Sequence, residues 1–390
     1  MKILFITQLS MVHYAGTEKM FYFLAEALVE KGHQVNFINI FVGESFPKKE
    51  KWKLPFCDDR WDVTPVIIKK LPSRYSFYMA FRYYVFGNYE YGSEEIVRIL
   101  EENGDYDIII AEQFFWLSGI KKAIKEKNSK AKVIFWNHGS LTSINNVCSL
   151  KDYVRKKIMF RLLKKWIGSA DLCLAISEGM SNLIKSYQPK MNIRLVYNPI
   201  VTLDKKTMPI SLYPTFIYVG RLDDYQKNVS FILTALNKIR NMPWQLKVIG
   251  DGPDYACLKN KAEKIGLSSK VEWLGYKENP FEQIEEATCL LMASRYEGFC
   301  LVLAESIERG LPVIASNCPV GPSEIVINGQ NGYLFKPGNQ EEFLELLEMA
   351  IKGDMNLLKR DQIPLTLVKF HKDIVIKKIE DAIESLFTEN

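Results

Sequence analysis

Two acids and two cations in the second half of the chain are residue types that could bind an anion or sugar hydroxyls. Glu297 and Glu305 are separated by seven residues in Ser294-Arg295-Tyr296-Glu297-Gly298-Phe299-Cys300-Leu301-Val302-Leu303-Ala304-Glu305-Ser306. A strand ending near Ser294 and a helix beginning near Leu301 would leave a loop between them at the C-terminal edge of a sheet. Its amide N–H groups could there meet an anion or sugar hydroxyls. Glu305 falls on a mostly apolar helix face with Leu301, Val302, Ala304 and Ile307. A carboxylate there is costly unless it is paired or accepts hydrogen bonds; the alternative is a solvent-facing Glu on an ordinary helix. The cations are Arg221 and Lys227 in Gly220-Arg221-Leu222-Asp223-Asp224-Tyr225-Gln226-Lys227-Asn228. Arg221 can make forked bonds to phosphate oxygens and Lys227 can add a point charge. Lys227 is expected where the next helix starts, and a cation there opposes the helix dipole unless an anionic ligand shares the spot. A basic turn facing water is the alternative.

Other signals are weaker alone. Gly250-Asp251-Gly252-Pro253 reads as a tight turn after a strand, with Pro253 suited to a first helical position. Gly16, in Ala15-Gly16-Thr17-Glu18, would let the backbone approach a ligand where the first helix starts. His138, in Trp136-Asn137-His138-Gly139-Ser140, follows a strand end and is either a functional group or a structural histidine. The GxGxxG fingerprint and the GxxxxGK loop are absent, which disfavours simple NAD or ATP enzymes. No GxSxG elbow surrounds Ser140 or Ser177, so a serine hydrolase is disfavoured too.

The elements that must position these residues are legible as runs. Lys2 to Gln8 reads as a strand, Thr17 to Lys31 as an amphipathic helix ended by Gly32, and Gln34 to Ile40 as the next strand. Further strands are expected at Asp107 to Ala111, Lys132 to Trp136, Leu172 to Ile176 and Ile193 to Val196. Residues 48 to 91, rich in Pro, Tyr, Phe and Trp, read as an excursion from the regular pattern. After a linker over 201 to 214 a second series begins, with strands near Thr215 to Val219, Gln245 to Ile249, Lys270 to Leu274, Cys289 to Ala293 and Pro312 to Ser316. Asn339 is placed to cap a helix to about Lys352 with Glu342 as its capping-box partner, and His371 to Leu386 reads as a last helix. The pattern predicts two doubly wound α/β domains, with ligands beyond the C-terminal strand ends and in the cleft between the domains.

Composition sets the outer bounds. A chain of 390 residues, 47% apolar and 25% charged, suits two cored domains rather than disorder. The net charge of +5 is too small for a dedicated nucleic-acid binder. No run of 18 apolar residues predicts a membrane span, and the N-terminus does not read as a secretory signal. Seven scattered Cys without a CxxC pair fit thiols of a reducing cytoplasm, and four dispersed His predict no zinc site.

Together these motifs resemble those of the retaining glycosyltransferases of family 4, which have the GT-B fold of two Rossmann-like domains facing across a deep cleft. Glu297 and Glu305 resemble that family's E-x7-E motif, and Arg221 and Lys227 its diphosphate-binding pair. Gly250-Asp251-Gly252-Pro253, Gly275-Tyr276, Gly329-Gln330-Asn331-Gly332 and Asn198-Pro199-Ile200 resemble its landmarks. Two departures stand out: Ala15 precedes Gly16 where a second glycine is common, and the Arg-to-Lys interval is six rather than five.

The resemblance implies transfer of a sugar, with retention, from a nucleotide diphosphate sugar, commonly a UDP-sugar, without a bound metal. It implies that Glu305 holds the ribose hydroxyls and Glu297 the transferred sugar. Phe299, Cys300, Leu301 and Gly250 would line the donor site. Arg221 and Lys227 would hold the diphosphate, with Gly16 passing close to it, and His138 would lie near the sugar and acceptor. It further implies an acceptor-side domain over 1–203, a nucleotide-sugar domain over 204–370, and a last helix, 371–386, packing back on the first. The acceptor would be a glycan or lipid-linked glycan of the cell surface. Residues 151 to 167 carry an apolar stripe (Val154, Ile158, Leu162, Trp166) opposite a basic surface, the profile of a helix on an anionic membrane or of an ordinary packed surface helix. The aromatic tract Tyr75 to Tyr91 fits an acceptor pocket, an interfacial patch or core filling. The expected place is the cytoplasm, peripheral on the inner membrane face. A sugar-phosphate synthase or phosphorylase of the same fold, or a non-catalytic nucleotide-sugar-binding partner, are the alternatives.

Overall fold

The computed structural model describes residues 1–7, 16–42, 62–68, 93–102, 104–136, 138, 157, 161, 163–200 and 207–388. The first half contains β1 (Lys2–Thr7), α1 (Gly16–Glu30), β2 (Gln34–Val42), β3 (Asp62–Ile68), α2 (Ser93–Glu102), β4 (Ile108–Ala111), α3 (Leu117–Glu126), β5 (Lys132–Trp136), β6 (Leu172–Ala175), α4 (Glu178–Tyr187) and β7 (Ile193–Leu195). The second contains β8 (Thr215–Val219), α5 (Asp224–Lys227), α6 (Val229–Lys238), β9 (Gln245–Ile249), α7 (Tyr255–Lys264), β10 (Val271–Gly275), β11 (Cys289–Met292), α8 (Leu301–Ile307), β12 (Val313–Ser316), α9 (Pro322–Ile325), β13 (Gly332–Phe335), α10 (Gln340–Lys352) and α11 (Lys372–Thr388).

These strands form two parallel sheets, ordered β3-β2-β1-β4-β5-β6-β7 and β10-β9-β8-β11-β12-β13. Side-chain alternation explains the layering. Ile3 and Phe5 enter one core while Leu4 and Ile6 enter another on the opposite face, all at 0% exposure, so β1 is apolar throughout rather than alternating. Strand β3 is a correction to the reading of residues 48 to 91, since 62–68 adds a regular edge to the sheet. Pro65 is tolerated there because, among the described residues, β3 pairs only with β2. The tract from Tyr75 to Tyr91 lies outside the described residues, as do Ala15, Asn137, Gly139 and Ser140.

The two halves share one hydrophobic core. Its members run from Phe5 and Phe21 through Tyr197 and Phe299 to Phe370, Val375 and Ile379. Phe370 meets Tyr197 edge-on at 4.8 Å and Phe299 at 5.3 Å. Helix α11 lies against α1, with Lys372 over the Phe23 ring at 5.1 Å and Lys31 paired to Glu380 at 3.3 Å. Asn339 caps α10 by accepting from the Glu342 amide at 3.3 Å, whereas the Glu342 carboxylate takes the Lys336 amide at 2.7 Å instead of closing a capping box.

Candidate active site

In both sheets the strand order reverses, between β1 and β4 and between β8 and β11, and each reversal opens a crevice at the C-terminal strand ends. The loops after β8 and β11 flank the second crevice, which is why residues seventy positions apart meet there. Lys227 Nζ donates to Glu297 Oε1 at 2.7 Å. Glu297 is 5% exposed. Burial alone would push the Lys227 ammonium down; the Glu297 carboxylate outweighs it and holds the ammonium above its ordinary value. The pair neutralises itself.

The six-residue interval between Arg221 and Lys227 has a structural reason. It contains the helical turn α5, capped by Asp223 accepting from the Gln226 amide and closed by Asn228 at φ 55°. Lys227 therefore ends a helical turn, where a cation is favourable, and does not begin the next helix as its position in the sequence suggests. Arg295 sews this turn to the acid loop. Its Nη1 donates to the carbonyls of Asp224 at 2.6 Å and Tyr225 at 2.9 Å, and its Nη2 to Asn228 Oδ1 at 2.6 Å. Its own amide donates to Gln226 O at 2.8 Å. Arg221 remains exposed on the same loop, with its carbonyl accepting from the Tyr218 hydroxyl at 2.9 Å. The Tyr296 phenol is raised by burial and by Asp223 and Glu297, against the pull of Lys227 and Arg221, so both cations act at this one rim.

The Gly250-Asp251-Gly252 turn proves to be a packing device. A Cβ on Gly250 would stand 1.9 Å from the Gly220 carbonyl, and one on Gly252 2.5 Å from the Leu222 carbonyl. The glycines press the loop after β9 against the loop that bears Arg221. Pro253 lies in the turn before α7, which starts at Tyr255 rather than at the proline.

Cys300 precedes α8 in a left-handed conformation, φ 76° and ψ 63°, uncommon for a residue with a side chain. The amides of Phe299, Cys300 and Leu301 donate to no group among the described residues. Burial raises the Cys300 thiol well above its ordinary value and pushes the Cys318 thiol up to about 12, so neither is a thiolate nucleophile at neutral pH. One turn into α8, Glu305 is about one-third exposed and pairs with Lys19 of α1 at 3.3 Å. Gly16 sits beside this contact, its Cβ direction closed by Leu301 Cδ1 at 2.9 Å. Leu301, Glu305, Arg309, Phe281, Lys19 and Phe23 line a cavity of about 300 Å³ between the halves.

His138 lies past β5 between two rings, 4.3 Å from Trp136 and 5.2 Å from Phe21. Both ring nitrogens are buried without a hydrogen-bond partner among the described residues. Burial brings its pKa down to about 3, so the imidazole is neutral at working pH. Of the stretch 151 to 167, Leu163 and Ile167 are fully buried in the first half, while Lys157, Arg161, Lys164 and Lys165 are exposed. Among the described residues the apolar side thus packs inward and the basic side faces solvent. No helix among them is long and apolar enough to cross a membrane, and no cluster of three His, Cys, Asp or Glu could hold a metal.

The sequence reading missed Arg295 and Lys19. Arg295 stands next to the acid loop, and its signal was an arginine beside a loop whose neighbouring turn exposes carbonyls; Lys19 offered no signal, because its partner lies 286 positions away.

Two doubly wound parallel sheets joined through one core, with a cation and an acid meeting at the second switch point, define a GT-B architecture. The chain belongs to the family 4 glycosyltransferases. The family described as Glycosyltransferase Family 4 matches residues 14–202, and that described as Glycosyl transferases group 1 matches residues 203–363. The chain is 30% identical over 235 residues to the lipopolysaccharide 1,6-galactosyltransferase of Escherichia coli K12, covering 57% of this chain and 63% of that protein. It is 33% identical over 231 residues to the enzyme of the same name from Salmonella typhimurium, covering 56% and 63%. The matched region thus spans less than two thirds of these relatives. Among solved structures, the lipopolysaccharide outer core galactosyltransferase WaaB superposes with a TM-score of 0.75 at 24% identity, covering 99% of both chains.

Proposed function

We propose that this chain is a retaining glycosyltransferase that moves a hexose-type sugar from a nucleotide diphosphate sugar, a UDP-sugar, to a glycan or lipid-linked acceptor in cell-surface polysaccharide or glycolipid synthesis. The observation that supports it most is the Lys227–Glu297 pair at 2.7 Å beside the open amides of Phe299 to Leu301, with Glu305 one turn further along α8. This set offers positive charge and N–H donors to a diphosphate, and carboxylates to sugar and ribose hydroxyls. The relatives named above, galactosyltransferases acting on lipopolysaccharide, support the choice of donor and acceptor.

On this reading residues 204–370 bind the donor and 1–203 face the acceptor. Arg221 and Lys227 hold the diphosphate and stabilise the charge that develops on it as the sugar–phosphate bond breaks. The incoming diphosphate displaces part of the Lys227–Glu297 contact, and the freed Glu297 oxygen accepts from sugar hydroxyls. Glu305 turns from Lys19 to the ribose, and Gly16 keeps the start of α1 close to the phosphates. The acceptor hydroxyl attacks from the face the phosphate leaves. The new C–O bond forms as the old one breaks, and its proton passes to a departing phosphate oxygen. His138, being neutral, takes part as a hydrogen-bonding ring toward the sugar or acceptor rather than as a proton donor. The exposed Lys157, Arg161, Lys164 and Lys165 are placed to meet an anionic membrane surface at the cytoplasmic face.

The test is a donor panel headed by UDP-galactose, assayed against extracted lipopolysaccharide cores and lipid-linked glycans. Product mass and anomeric configuration are read. The expected result is an α-linked hexose from an α-linked donor. An inverted product rejects retention, and binding of UDP without turnover of any donor favours a non-catalytic partner.

A further inference from the structure

The N-terminus of α4, in the first half, is held by two segments of the second. Glu324, on α9, accepts from the amides of Glu178 at 2.6 Å and Gly179 at 3.2 Å. These amides open a helix and have no intrahelical acceptor, so the carboxylate supplies a partner from across the seam. Ser177, the residue that caps α4, donates its hydroxyl to the Gly298 carbonyl at 3.3 Å while accepting from the Met180 amide at 3.1 Å. Gly298 is the neighbour of Glu297. The loop before α9 also presses on that segment: a Cβ on Gly321, at φ 100°, would stand 2.6 Å from the Phe299 carbonyl. Tyr197 completes the cluster, its hydroxyl 3.4 Å from Glu178 Oε1. Burial, and then the charges of Glu324 and Glu178, push that phenol up, so it stays protonated as a donor between the two carboxylates.

We infer that Glu324 is a positioning residue for sugar transfer: by capping α4 across the seam it holds the two halves closed and fixes the Gly298–Phe299 segment that carries Glu297. The inference rests on the transferase reading given above. Glu324 bonds to the α4 amides and stands apart from the Lys227–Glu297 pair, whose members bond to each other. Its effect therefore passes through the seam, and binding of nucleotide to the second half alone should not need it. The occupant of the α4 N-terminus is a side chain of the same chain, so closure can be made and broken within one molecule as substrates enter and products leave.

Hydrogen exchange at the amides of Glu178 and Gly179 reads the closed seam directly, because Glu324 is their acceptor. UDP affinity and the kcat of the donor selected by the panel are measured on the same proteins. In Glu324→Ala the two amides should exchange at least about tenfold faster, as expected for loss of a charge-assisted bond. The kcat should fall about tenfold or more while UDP affinity stays within about twofold. Glu324→Gln, which keeps the shape and one acceptor oxygen, should lie between the wild type and Ala in both readouts. Unchanged amide protection overturns the inference, as does lost protection with unchanged kcat. UDP affinity falling in step with kcat also overturns it, since Glu324 would then shape the nucleotide pocket. A wild-type protein that turns over no donor defeats the transferase reading itself, and that failure is visible before any variant is made.

Discussion

At the switch point of the second sheet Lys227 and Glu297 meet at 2.7 Å and satisfy each other, whereas on the first sheet His138 lies between Trp136 and Phe21 with neither nitrogen bonded among the described residues. Both places bury ionisable groups, and they meet the cost differently. The second half keeps its charges and pairs them, held in register by Arg295 and by glycines that let two loops touch. The first half removes the charge by keeping the imidazole neutral. The contrast teaches that one buried group is kept charged by a partner from a distant loop and the other is kept neutral by burial alone.

The contrast breaks most visibly if one member of the pair is removed. Glu297→Ala leaves the Lys227 ammonium, 18% exposed, without its partner. Unfolding free energy in urea should drop by about 3 kcal/mol, and turnover should fall by roughly 100-fold. The double replacement Lys227→Met with Glu297→Leu should recover most of the stability and none of the activity. A single variant as stable as the wild type would show that the pair is not paying for its own burial.

The next test concerns His138. The ring titrates near 6.5 in the unfolded chain and near 3 in the folded one. Between these values the unfolded chain binds a proton that the folded chain does not, so stability falls as pH drops below 6.5 and this loss ends near pH 3. From pH 6.5 to pH 5 the loss amounts to about 2 kcal/mol. His138→Phe, which keeps a ring between Trp136 and Phe21, should lose about 2 kcal/mol less than the wild type over that interval. Parallel pH profiles for the two proteins would mean that the histidine is solvated and charged.

The smallest effect is expected at Lys19, which sharpens the contrast by showing what the first half adds to the second in the absence of ligand. The Lys19–Glu305 contact is partly exposed, so Lys19→Met should change stability by less than about 1 kcal/mol. Freed of its competitor, Glu305 should bind UDP up to about threefold more tightly. Weaker UDP binding would instead make Lys19 part of the nucleotide site.

The strands and most helices were legible because their cores are continuous apolar runs or 3.6-residue stripes: β8 and β9 run from Thr215 to Val219 and from Gln245 to Ile249, the same bounds the pattern predicts. β3 was obscured because Pro65 and a flanking aromatic-rich sequence mask an edge strand. In the site, Arg221, Lys227, Glu297 and Glu305 were visible as residue types at fixed spacing, but not their mutual relations. Nothing local to Lys227 says that it ends a helical turn, that Glu297 is its partner, or that Gly250 serves the Gly220 carbonyl.

The order of strands and helices, the apolar faces that force two covered sheets, and the inventory of acids and cations were determined by the sequence alone, because period and chemistry are local properties of the chain. Which charges neutralise each other was decided only by the tertiary structure. Lys227 and Glu297 stand 70 positions apart and Lys19 and Glu305 286; the carboxylate of Glu324 likewise finds the backbone amide of Glu178 146 positions away. Such contacts follow from where sheet reversal and the shared core bring distant loops, and electrostatic energy depends on that distance in space rather than on separation along the chain.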